Sequence, residues 1–584
     1  MTNKRWFLRA GSILLAAMFA AGTGCGDEPE RQPKLSVEVI GWGPDDQGDV
    51  GFHRELPAFA GAAEVRASLL QPGTNTLVEQ RSFTPAQGGA KLPELRFGSG
   101  YRLDFELLNS QSTPVAAGAT PIFDFGEDEV ALSFRIQVGQ VNAFAPVGSD
   151  VVRDGERELV QSRMDYRRLR ANGAGDDSWL GRVGHVTVPF DGGNKALTVG
   201  GGYSETSTTP RPGSLPEFTT IHDDLMEFDP VSGYFTDLAY DEQTGAERPN
   251  GADRLLEPRA YHTVTPIGGD RFLVVGGLTP NDPNPRALRS IELIDLNAQP
   301  GTRVQQLEDS SGVAAQLNDA RAYHTATYRP IDNTVVVTGG ISGGADDVLA
   351  SVEIIDLDNG EVTLGPDMND ARAEHEAVVM GSGETIWLLG GRDASGALAS
   401  TDALTLSDGT NLVSEEATMK TARFGFSAMR ITPNDRNVVV IGGYTDLEGG
   451  ATDTYEMSSL GREGEEFKSE GNWRLKEARA YPAAFELPET SNIVVLGGRD
   501  DNATRVGQAE VLEYGDIANP KPYTSELTEG STYNERAEFS ATRLSNGKIL
   551  LIGGIGRRSG RTTALDDAEY FTPFDASTAS STEE

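Results

Sequence analysis

Cysteine is almost absent from this chain of 584 residues, since Cys25 is the only one. A single thiol cannot form a disulfide within the chain, so disulfides do not hold the fold together. Histidine is also scarce, with 6 residues. The sequence has no zinc-spaced pair of His and Glu, no nucleophile elbow and no glycine-rich phosphate loop before a helix. It therefore predicts no metal site and no cofactor.

Basic residues are in the minority, with 50 Lys and Arg against 88 Asp and Glu and a formal net charge of -38. Nucleic acids and anionic lipid surfaces are bound by clustered Lys and Arg, so this composition argues against both partners. After the N-terminus, no stretch approaches the 18 continuous apolar residues of a membrane-spanning helix.

Short apolar runs that end in a pair of glycines are what the chain does contain, and they recur along it. A run of β-branched and aliphatic residues ending in glycine indicates a buried strand that leaves through a turn only glycine can make. Successive pairs lie 76, 63, 51, 52, 55 and 56 residues apart, a period typical of propeller blades. The pairs are Gly200 and Gly201, Gly276 and Gly277, Gly339 and Gly340, Gly390 and Gly391, Gly442 and Gly443, Gly497 and Gly498, and Gly553 and Gly554.

An arginine lies 17 to 19 residues before each pair, and a second position is in register with it. The residue three after the arginine is histidine in the first four copies, followed by Phe426, Pro482 and Phe539. A strand of alternating acidic and apolar residues follows each pair. The arginines are Arg182, Arg259, Arg321, Arg372, Arg423, Arg479 and Arg536.

This order of motifs resembles the kelch repeat, and the resemblance covers about residues 180–572. It departs from the family in the fourth strand, where only Trp473 is placed to serve as the usual tryptophan. The resemblance implies an all-β fold with a seven-bladed kelch-type β-propeller, or six blades if the degenerate first copy is not one. Galactose oxidase-like propellers share this architecture, but their copper site needs a cysteine that is missing here.

The first 25 residues have a basic start and a short apolar run at 10–21. One interpretation is a secretory signal cleaved near Ala21. The other is that the segment resembles a bacterial lipoprotein signal, which implies lipidation of Cys25, although Gly22 departs from the usual aliphatic residue. Residues 1–25 are then the signal peptide and residues 26–34 a tether. The prediction is an exported protein anchored by lipid in the bacterial cell envelope, at the outer membrane or cell surface.

Residues 35–138 alternate in short segments separated by turn clusters, which predicts a small β-sandwich. It looks like an immunoglobulin-like or prealbumin-like domain that acts as a spacer or as a second binding module. The propeller is predicted over residues 139–572, where the last blade has three strands of its own and residues 140–147 supply the fourth. Residues 573–584 form a Ser, Thr and Glu tail that cannot bury a core.

The resemblance also implies a ligand site, because arginines at this position of kelch propellers commonly line the channel mouth. The seven arginines are the candidate ring for carboxylate or other anionic groups. The structural alternative is that acidic residues just before them, such as Glu257, Asp319 and Asp370, tie blade to blade. The histidines are expected to pack between blades. Tight turns join the first and second strands of each blade, whereas the longest loops lie on the opposite face.

Two functions remain open on the sequence. One is a monomeric binding or scaffolding lipoprotein, not an enzyme, whose partner is a protein, peptide or glycan, including anionic ones. The other is a carbohydrate-active propeller enzyme that resembles sialic acid epimerases, which need neither metal nor thiol. Acids at the channel mouth that break the sevenfold pattern would favour an enzyme, and exposed aromatic and arginine side chains would favour a binder.

Overall fold

The fold is that of a computed structural model. Before residue 62 it describes only strands. After that, the structure describes residues 62–71, 76–84, 92–93, 98–125, 131–153, 156–161, 181–203, 215–241, 247–249, 252–280, 285–380, 383–407, 410–415, 417–431, 437–459, 466–469, 473–487, 492–500, 505–513, 525–531, 535–558 and 561–573. Cys25 and residues 574–584 lie outside these ranges, so the predicted lipidation site and most of the tail remain predictions.

The described chain is an all-β structure, as the alternating and apolar runs predict. A short 3-10 turn lies at Asp191–Gly193. Within the described ranges, no helix has the length and apolar character needed to cross a membrane.

The N-terminal part contains thirteen strands. They are β1 (Ile13–Ala16), β2 (Lys34–Gly41), β3 (Gly43–Pro44), β4 (Val50–Gly51), β5 (Glu64–Gln71), β6 (Thr76–Phe83), β7 (Gly98–Leu108), β8 (Pro114–Ala119), β9 (Phe123–Phe125), β10 (Ala131–Gln140), β11 (Ala143–Pro146), β12 (Gly148–Arg153) and β13 (Glu156–Gln161). Strand β1 lies in the predicted signal segment and pairs with β2.

Eight of these strands form one sheet, in which seven follow the order β1-β2-β10-β8-β7-β5-β6 and β9 pairs with β7. Strand β10 changes partner along its length: residues 131–138 pair in parallel with β2, and Gly139 and Gln140 pair with β8. Ile136 and Val138 of β10 pack in one apolar cluster with Leu69 and Phe105 of the other strands. Strand β10 therefore joins strand β2 to the strands that begin with β8.

Seven successive sheets follow the N-terminal part. Sheet 1 contains β14 (Val186–Phe190), β15 (Lys195–Val199), β18 (Leu225–Asp229) and β19 (Tyr234–Asp237), with a hairpin of β16 (Gly202–Tyr203) and β17 (Thr220–Ile221). Sheet 2 contains β20 (Thr263–Pro266), β21 (Arg271–Val275), β22 (Leu278–Thr279), β23 (Arg286–Asp295), β24 (Val304–Gln306) and β25 (Gln316–Arg321). Sheet 3 contains β26 (Thr325–Arg329), β27 (Thr334–Thr338), β28 (Val352–Asp356) and β29 (Val362–Leu364).

The later sheets repeat the same order. Sheet 4 contains β30 (Glu376–Met380), β31 (Thr385–Leu389), β32 (Thr401–Ser407) and β33 (Thr410–Glu415). Sheet 5 contains β34 (Ser427–Arg430), β35 (Asn437–Ile441) and β38 (Tyr455–Ser459), with a hairpin of β36 (Tyr444–Asp446) and β37 (Gly449–Ala451). Sheet 6 contains β39 (Ala483–Leu487), β40 (Asn492–Leu496), β41 (Gln508–Glu513) and β42 (Ser525–Ser531). Sheet 7 contains β43 (Ser540–Arg543), β44 (Ile549–Ile552) and β47 (Ala568–Thr572), with a hairpin of β45 (Ile555–Arg558) and β46 (Arg561–Ala564).

The first strands of the sheets contact one another in a closed circuit. Strand β14 contacts β20, then β26, β30, β34, β39 and β43 follow in turn, and β43 contacts β14 again. Apolar clusters fill the spaces between neighbouring sheets, as where Val199 of sheet 1 packs with Val274 of sheet 2. The arrangement is a β-propeller-like all-β fold.

Sheet 7 contains strands from both ends of this part of the chain. Strand β11 pairs antiparallel with β47, from Ala143 opposite Thr572 to Pro146 opposite Glu569. The ring of Phe144 lies 5.0 Å from that of Phe571. The circuit of sheets is therefore joined inside sheet 7 by hydrogen bonds and side-chain packing.

Candidate functional site

The glycine pairs end the second strand of every sheet, and both members have a positive φ in all seven copies. In the pair of sheet 3, Gly339 has φ 61° and Gly340 has φ 95°. A Cβ on Gly339 would lie 2.2 Å from the backbone oxygen of Arg372 in the next sheet. Glycine is required here both by the backbone conformation and by the close approach of that chain.

The seven arginines of the repeat are fully buried. Each guanidinium donates a hydrogen bond to the carbonyl oxygen of the first glycine of the pair that follows it in the sequence. It also contacts a buried carboxylate at the third strand of the same sheet as that glycine pair. In sheet 3, Arg321 lies 2.8 Å from Gly339 O and 2.6 Å from Glu353 Oε1. The seven carboxylates are Asp224, Glu292, Glu353, Asp402, Glu456, Glu510 and Glu569.

Five of these carboxylates, those of Glu292, Glu353, Asp402, Glu456 and Glu510, also accept backbone N–H groups from the segment just before the arginine. Glu353 accepts from Asn318 at 2.5 Å and from Asp319 at 3.0 Å. The carboxylate therefore bonds both to the arginine side chain and to the backbone that leads into the first strand. Burial alone would lower the pKa of Arg536, but Glu569 and Asp567 outweigh that effect and raise it.

The backbone of the same arginines links neighbouring sheets. The carbonyl oxygen of Arg321 accepts a hydrogen bond of 2.8 Å from Gly277 of the preceding sheet. The equivalent bond from Gly554 to Arg182 joins sheet 7 to sheet 1 at 2.9 Å. Such an arginine connects two sheets, because its backbone oxygen bonds to the preceding sheet and its side chain bonds to the following one.

The sequence left two roles open for the seven arginines, and their geometry favours the structural one. Their guanidinium groups have no exposed surface and are neutralised by carboxylates, so a ligand cannot reach them without displacing these partners. The acids that precede them contribute less directly. Ser351 Oγ bonds to Asp319 Oδ2 at 2.7 Å, and Asp319 lies 3.8 Å from the Arg321 guanidinium.

The histidines of the first four repeats pack between sheets, as the sequence indicated. His324 Nε2 lies 3.1 Å from Thr263 Oγ1 of the preceding sheet, and His185 Nε2 lies 3.0 Å from the oxygen of Ile552. Burial lowers the pKa of His185 and His324 to about 3, which keeps both rings neutral. Neither ring nitrogen of His262 has a hydrogen-bond partner among the described residues.

The residue two after each arginine forms an inner ring with features that the sequence did not reveal. All seven members have a positive φ. Backbone hydrogen bonds link consecutive members from Gly184 to Tyr481, as from Tyr323 N to Tyr261 O at 3.2 Å and from Glu374 N to Tyr323 O at 3.0 Å. We call these residues the inner ring. They are Gly184, Tyr261, Tyr323, Glu374, Gly425, Tyr481 and Glu538.

Side chains of the inner ring form two similar groups on opposite sides of it. Tyr261 reaches over Gly184 and donates to Glu538 at 3.1 Å, while Glu538 pairs with Arg499. Tyr481 reaches over Gly425 and donates to Glu374.

The second group is completed by Arg392, whose Nε donates to Glu374 at 2.7 Å. Each glycine is needed for the reach of its neighbouring tyrosine. A Cβ on Gly184 would lie 2.9 Å from the Tyr261 ring, and one on Gly425 would lie 2.5 Å from the Tyr481 ring.

Tyr323 completes the ring by stacking on Tyr261, with 4.3 Å between the ring centroids. Burial raises the pKa of Tyr261, Tyr323 and Tyr481 well above the ordinary value, so these phenols stay neutral hydrogen-bond donors at neutral pH. The two carboxylates of the ring are matched by two guanidinium groups. The inner ring with Arg392 and Arg499 is thus a balanced set of charges with three phenols.

The inner ring lies on the face of the long loops. Its members precede the first strands, and Arg392 and Arg499 follow the second strands, so both sets are at the end opposite to the tight turns. One sequence signal could have pointed to it: the position two after the arginine is Tyr or Glu in five of the seven copies and Gly in the other two. Of the long loops predicted here, residues 204–214 and 162–180 lie outside the described ranges.

No group of three or more His, Cys, Asp or Glu that could hold a metal occurs among the residues that the structure describes.

No protein-family model matches this sequence, and no curated protein matches it. Among solved structures, the chain is similar to that of YjhT, with 12% sequence identity and a TM-score of 0.39. The match covers 59% of this chain and 98% of YjhT. A similarity this distant does not bear on chemistry.

Proposed function

We propose that this chain is an exported, lipid-anchored propeller of the kelch type that binds a ligand over its inner ring. The seven sheets are taken as seven blades, and the N-terminal strands as a small sandwich that carries the propeller. The anchor is the predicted diacylated Cys25, in a bacterial cell envelope. The protein acts by binding, and its ligand is a neutral polyhydroxylated molecule such as a glycan.

One observation carries the choice of site: the inner ring, with Arg392 and Arg499, brings aromatic and ionisable side chains together at one end of the circuit of sheets. The repeated Arg, His and Gly-Gly residues contact neighbouring sheets and so serve the fold. The side chains of the inner ring differ from sheet to sheet, so the fold does not require them in all seven. They place three phenols, two carboxylates and two guanidinium groups at the channel end that is bordered by long loops.

The balance of charge decides the class of ligand. An anionic peptide would need unpaired guanidinium groups, but each repeat arginine is buried on a carboxylate. Arg392 and Arg499 are likewise paired with Glu374 and Glu538. Phenols, carboxylates and aromatic faces together offer donors, acceptors and stacking surface for sugar rings.

The enzyme alternative is supported by the two Tyr–Glu pairs, since paired acids at a channel mouth can transfer protons. The raised pKa of the tyrosines works against this role because the phenols are weak acids and hold their protons at neutral pH. An assay for chemical change in any glycan that binds would decide between the two functions.

The test is a binding screen of residues 26–584 against glycans and acidic peptides. We expect glycan binding, and we expect the double variant Tyr261→Phe with Tyr481→Phe to lose it by removing two hydroxyl groups. The matched control is Tyr328→Phe, whose hydroxyl bonds Asn333 at the other end of a first strand. Binding of acidic peptides alone, or equal glycan binding by both variants, would refute the proposed site.

A further inference from the structure

Among the described residues, side-chain hydrogen bonds join the N-terminal domain, strands β2 to β10, to the tight turns of sheets 1 and 7. Asn194, between β14 and β15, accepts from Ile122 N at 2.8 Å and donates to Ile122 O at 2.9 Å. Arg102 donates to the oxygen of Ser545, between β43 and β44, at 3.1 Å. Both turns are on the face opposite to the inner ring.

These two turns also bond to each other. Ser545 donates from its backbone to Gly193 at 2.9 Å and from its hydroxyl to Asn194 Oδ1 at 2.5 Å. Sheet 7 is the sheet in which β11 joins β47, so the N-terminal domain sits on the seam where the circuit closes. Strand β10 continues into β11 through Asn142, which donates to Thr572 O at 2.7 Å.

The pairing of strands β2 and β10 shows at which end the chain enters the N-terminal domain. Strand β2 runs parallel to β10, with Lys34 opposite Ala131 and Gly41 opposite Val138. The propeller end of β10 is its carboxyl end, next to Gly139. Lys34 therefore lies at the far end, roughly 23 Å along the strand at about 3.3 Å per residue.

We infer that the N-terminal domain is a fixed stalk on the ring seam, which turns the inner ring away from the chain's N-terminus. The order in space is chain entry at Lys34, N-terminal domain, tight-turn face, channel and inner ring. The direction relative to a membrane rests on the proposed N-terminal anchor. An anchored protein would then offer its inner ring to ligands in the surrounding medium, not to the lipid surface that holds it.

The test attaches the mature chain, residues 25–584, to vesicles by reacting Cys25 with a maleimide lipid. Because Cys25 is the only cysteine, the attachment is at one point and does not depend on biological lipidation. A dye-bearing side chain replaces either Ile331, exposed in a tight turn, or Ala394, exposed in the loop after the second strand of sheet 4. Energy transfer to acceptor lipids is measured for each.

We expect stronger transfer from position 331 than from position 394, because a five-residue strand separates the two faces by roughly 16 Å. Equal transfer, or stronger transfer from position 394, would overturn the inference. This result is independent of glycan binding, so failure here and failure of the proposed ligand site are distinguishable.

A second pair of variants tests the seam contacts themselves. Arg102→Ala with Asn194→Ala should reduce the difference in transfer between the two positions, because the stalk would no longer be fixed. The matched control is Asn297→Ala, which removes an exposed amide bond to Gly269 O on the tight-turn face away from the seam. If the control and the double variant behave alike, the seam contacts do not fix the stalk.

Discussion

The arginines show how a single residue can join a repeat fold. Six of the seven accept a backbone hydrogen bond from the preceding sheet. The side chain of each then reaches from a glycine carbonyl of the following sheet to the carboxylate at its third strand. The guanidinium fork suits this task because it donates to several acceptors at once. Its burial is tolerated only while the carboxylate remains in place.

We predict that Arg321→Met costs about 3–5 kcal/mol of unfolding free energy, because Glu353 is left as an unpaired buried charge. The double variant Arg321→Met with Glu353→Gln should recover part of that loss. Arg271→Met, on an exposed side chain, is the control and should change little. Urea denaturation of the mature chain measures all three. A loss no larger than that of the control would contradict the structural role.

Glu376 lies at a repeated position whose side chain bonds to a histidine in other sheets, but it has no histidine opposite it. The equivalent Thr263 and Thr325 each bond to a histidine of the next sheet, but the sheet after Glu376 presents Phe426 there. Burial raises the pKa of Glu376 from its ordinary value of 4.5 to about 8. A proton is therefore held in the folded state over a pH range where the unfolded chain releases it.

This raised pKa predicts that stability falls as pH rises from 4.5 to about 8. Glu376→Gln should remove the dependence, matching the parent at pH 4 and exceeding it at pH 8 by on the order of 3 kcal/mol. Thermal unfolding at several pH values measures the effect. The exposed Glu361→Gln is the control. A parallel pH dependence in parent and Glu376→Gln would refute the assignment.

At the scale of elements, the glycine pairs set how closely one sheet follows another. We predict that Gly339→Ala destabilises the protein by more than about 2 kcal/mol, since it adds a positive-φ strain and a clash with Arg372 O. Gly269→Ala is matched in φ, at 60° against 61°, but has no atom within 4 Å of the added Cβ. It should cost only about 1 kcal/mol. Equal losses in urea denaturation would show that close approach does not matter.

Strand β11 is the element that joins the two ends of the circuit. Removing the buried ring of Phe144 should cost about 3 kcal/mol. Phe144→Ala should also speed hydrogen exchange in β47, its partner strand. The control Phe83→Ala removes a partly buried ring from the N-terminal core, so it should leave exchange in β47 unchanged. Unaltered exchange in β47 of Phe144→Ala would mean that the seam does not depend on β11.

The sequence predicted the secondary-structure elements well. The buried second strands and their glycines follow from local rules, because an apolar run and a turn that needs a positive φ are both properties of neighbouring residues. The partner of a side chain does not follow in the same way. Arg321 meets Glu353 across 32 residues, and Tyr261 meets Glu538 across 277. Such contacts depend on how whole sheets are placed.

For the whole molecule, this difference explains why the predicted arginine ring is a set of internal ion pairs in the structure. On the sequence alone, seven repeated arginines in an acidic chain indicate a positively charged ligand site. The carboxylates at the third strands, which neutralise them, are identified only in the structure. The inner ring was missed because its side chains meet partners that are distant in sequence, as Tyr261 meets Glu538. The signal segment and the tail remain sequence predictions.

The most direct test of the whole account is a crystal structure of the mature chain with an oligosaccharide selected in the binding screen. We expect a sugar ring against Tyr261 and Tyr323, with hydroxyls bonded to Glu374 or Glu538. The seven repeat arginines should remain on their carboxylates. A ligand that draws Arg321 or its equivalents away from those carboxylates, or that binds only on the tight-turn face, would contradict the account.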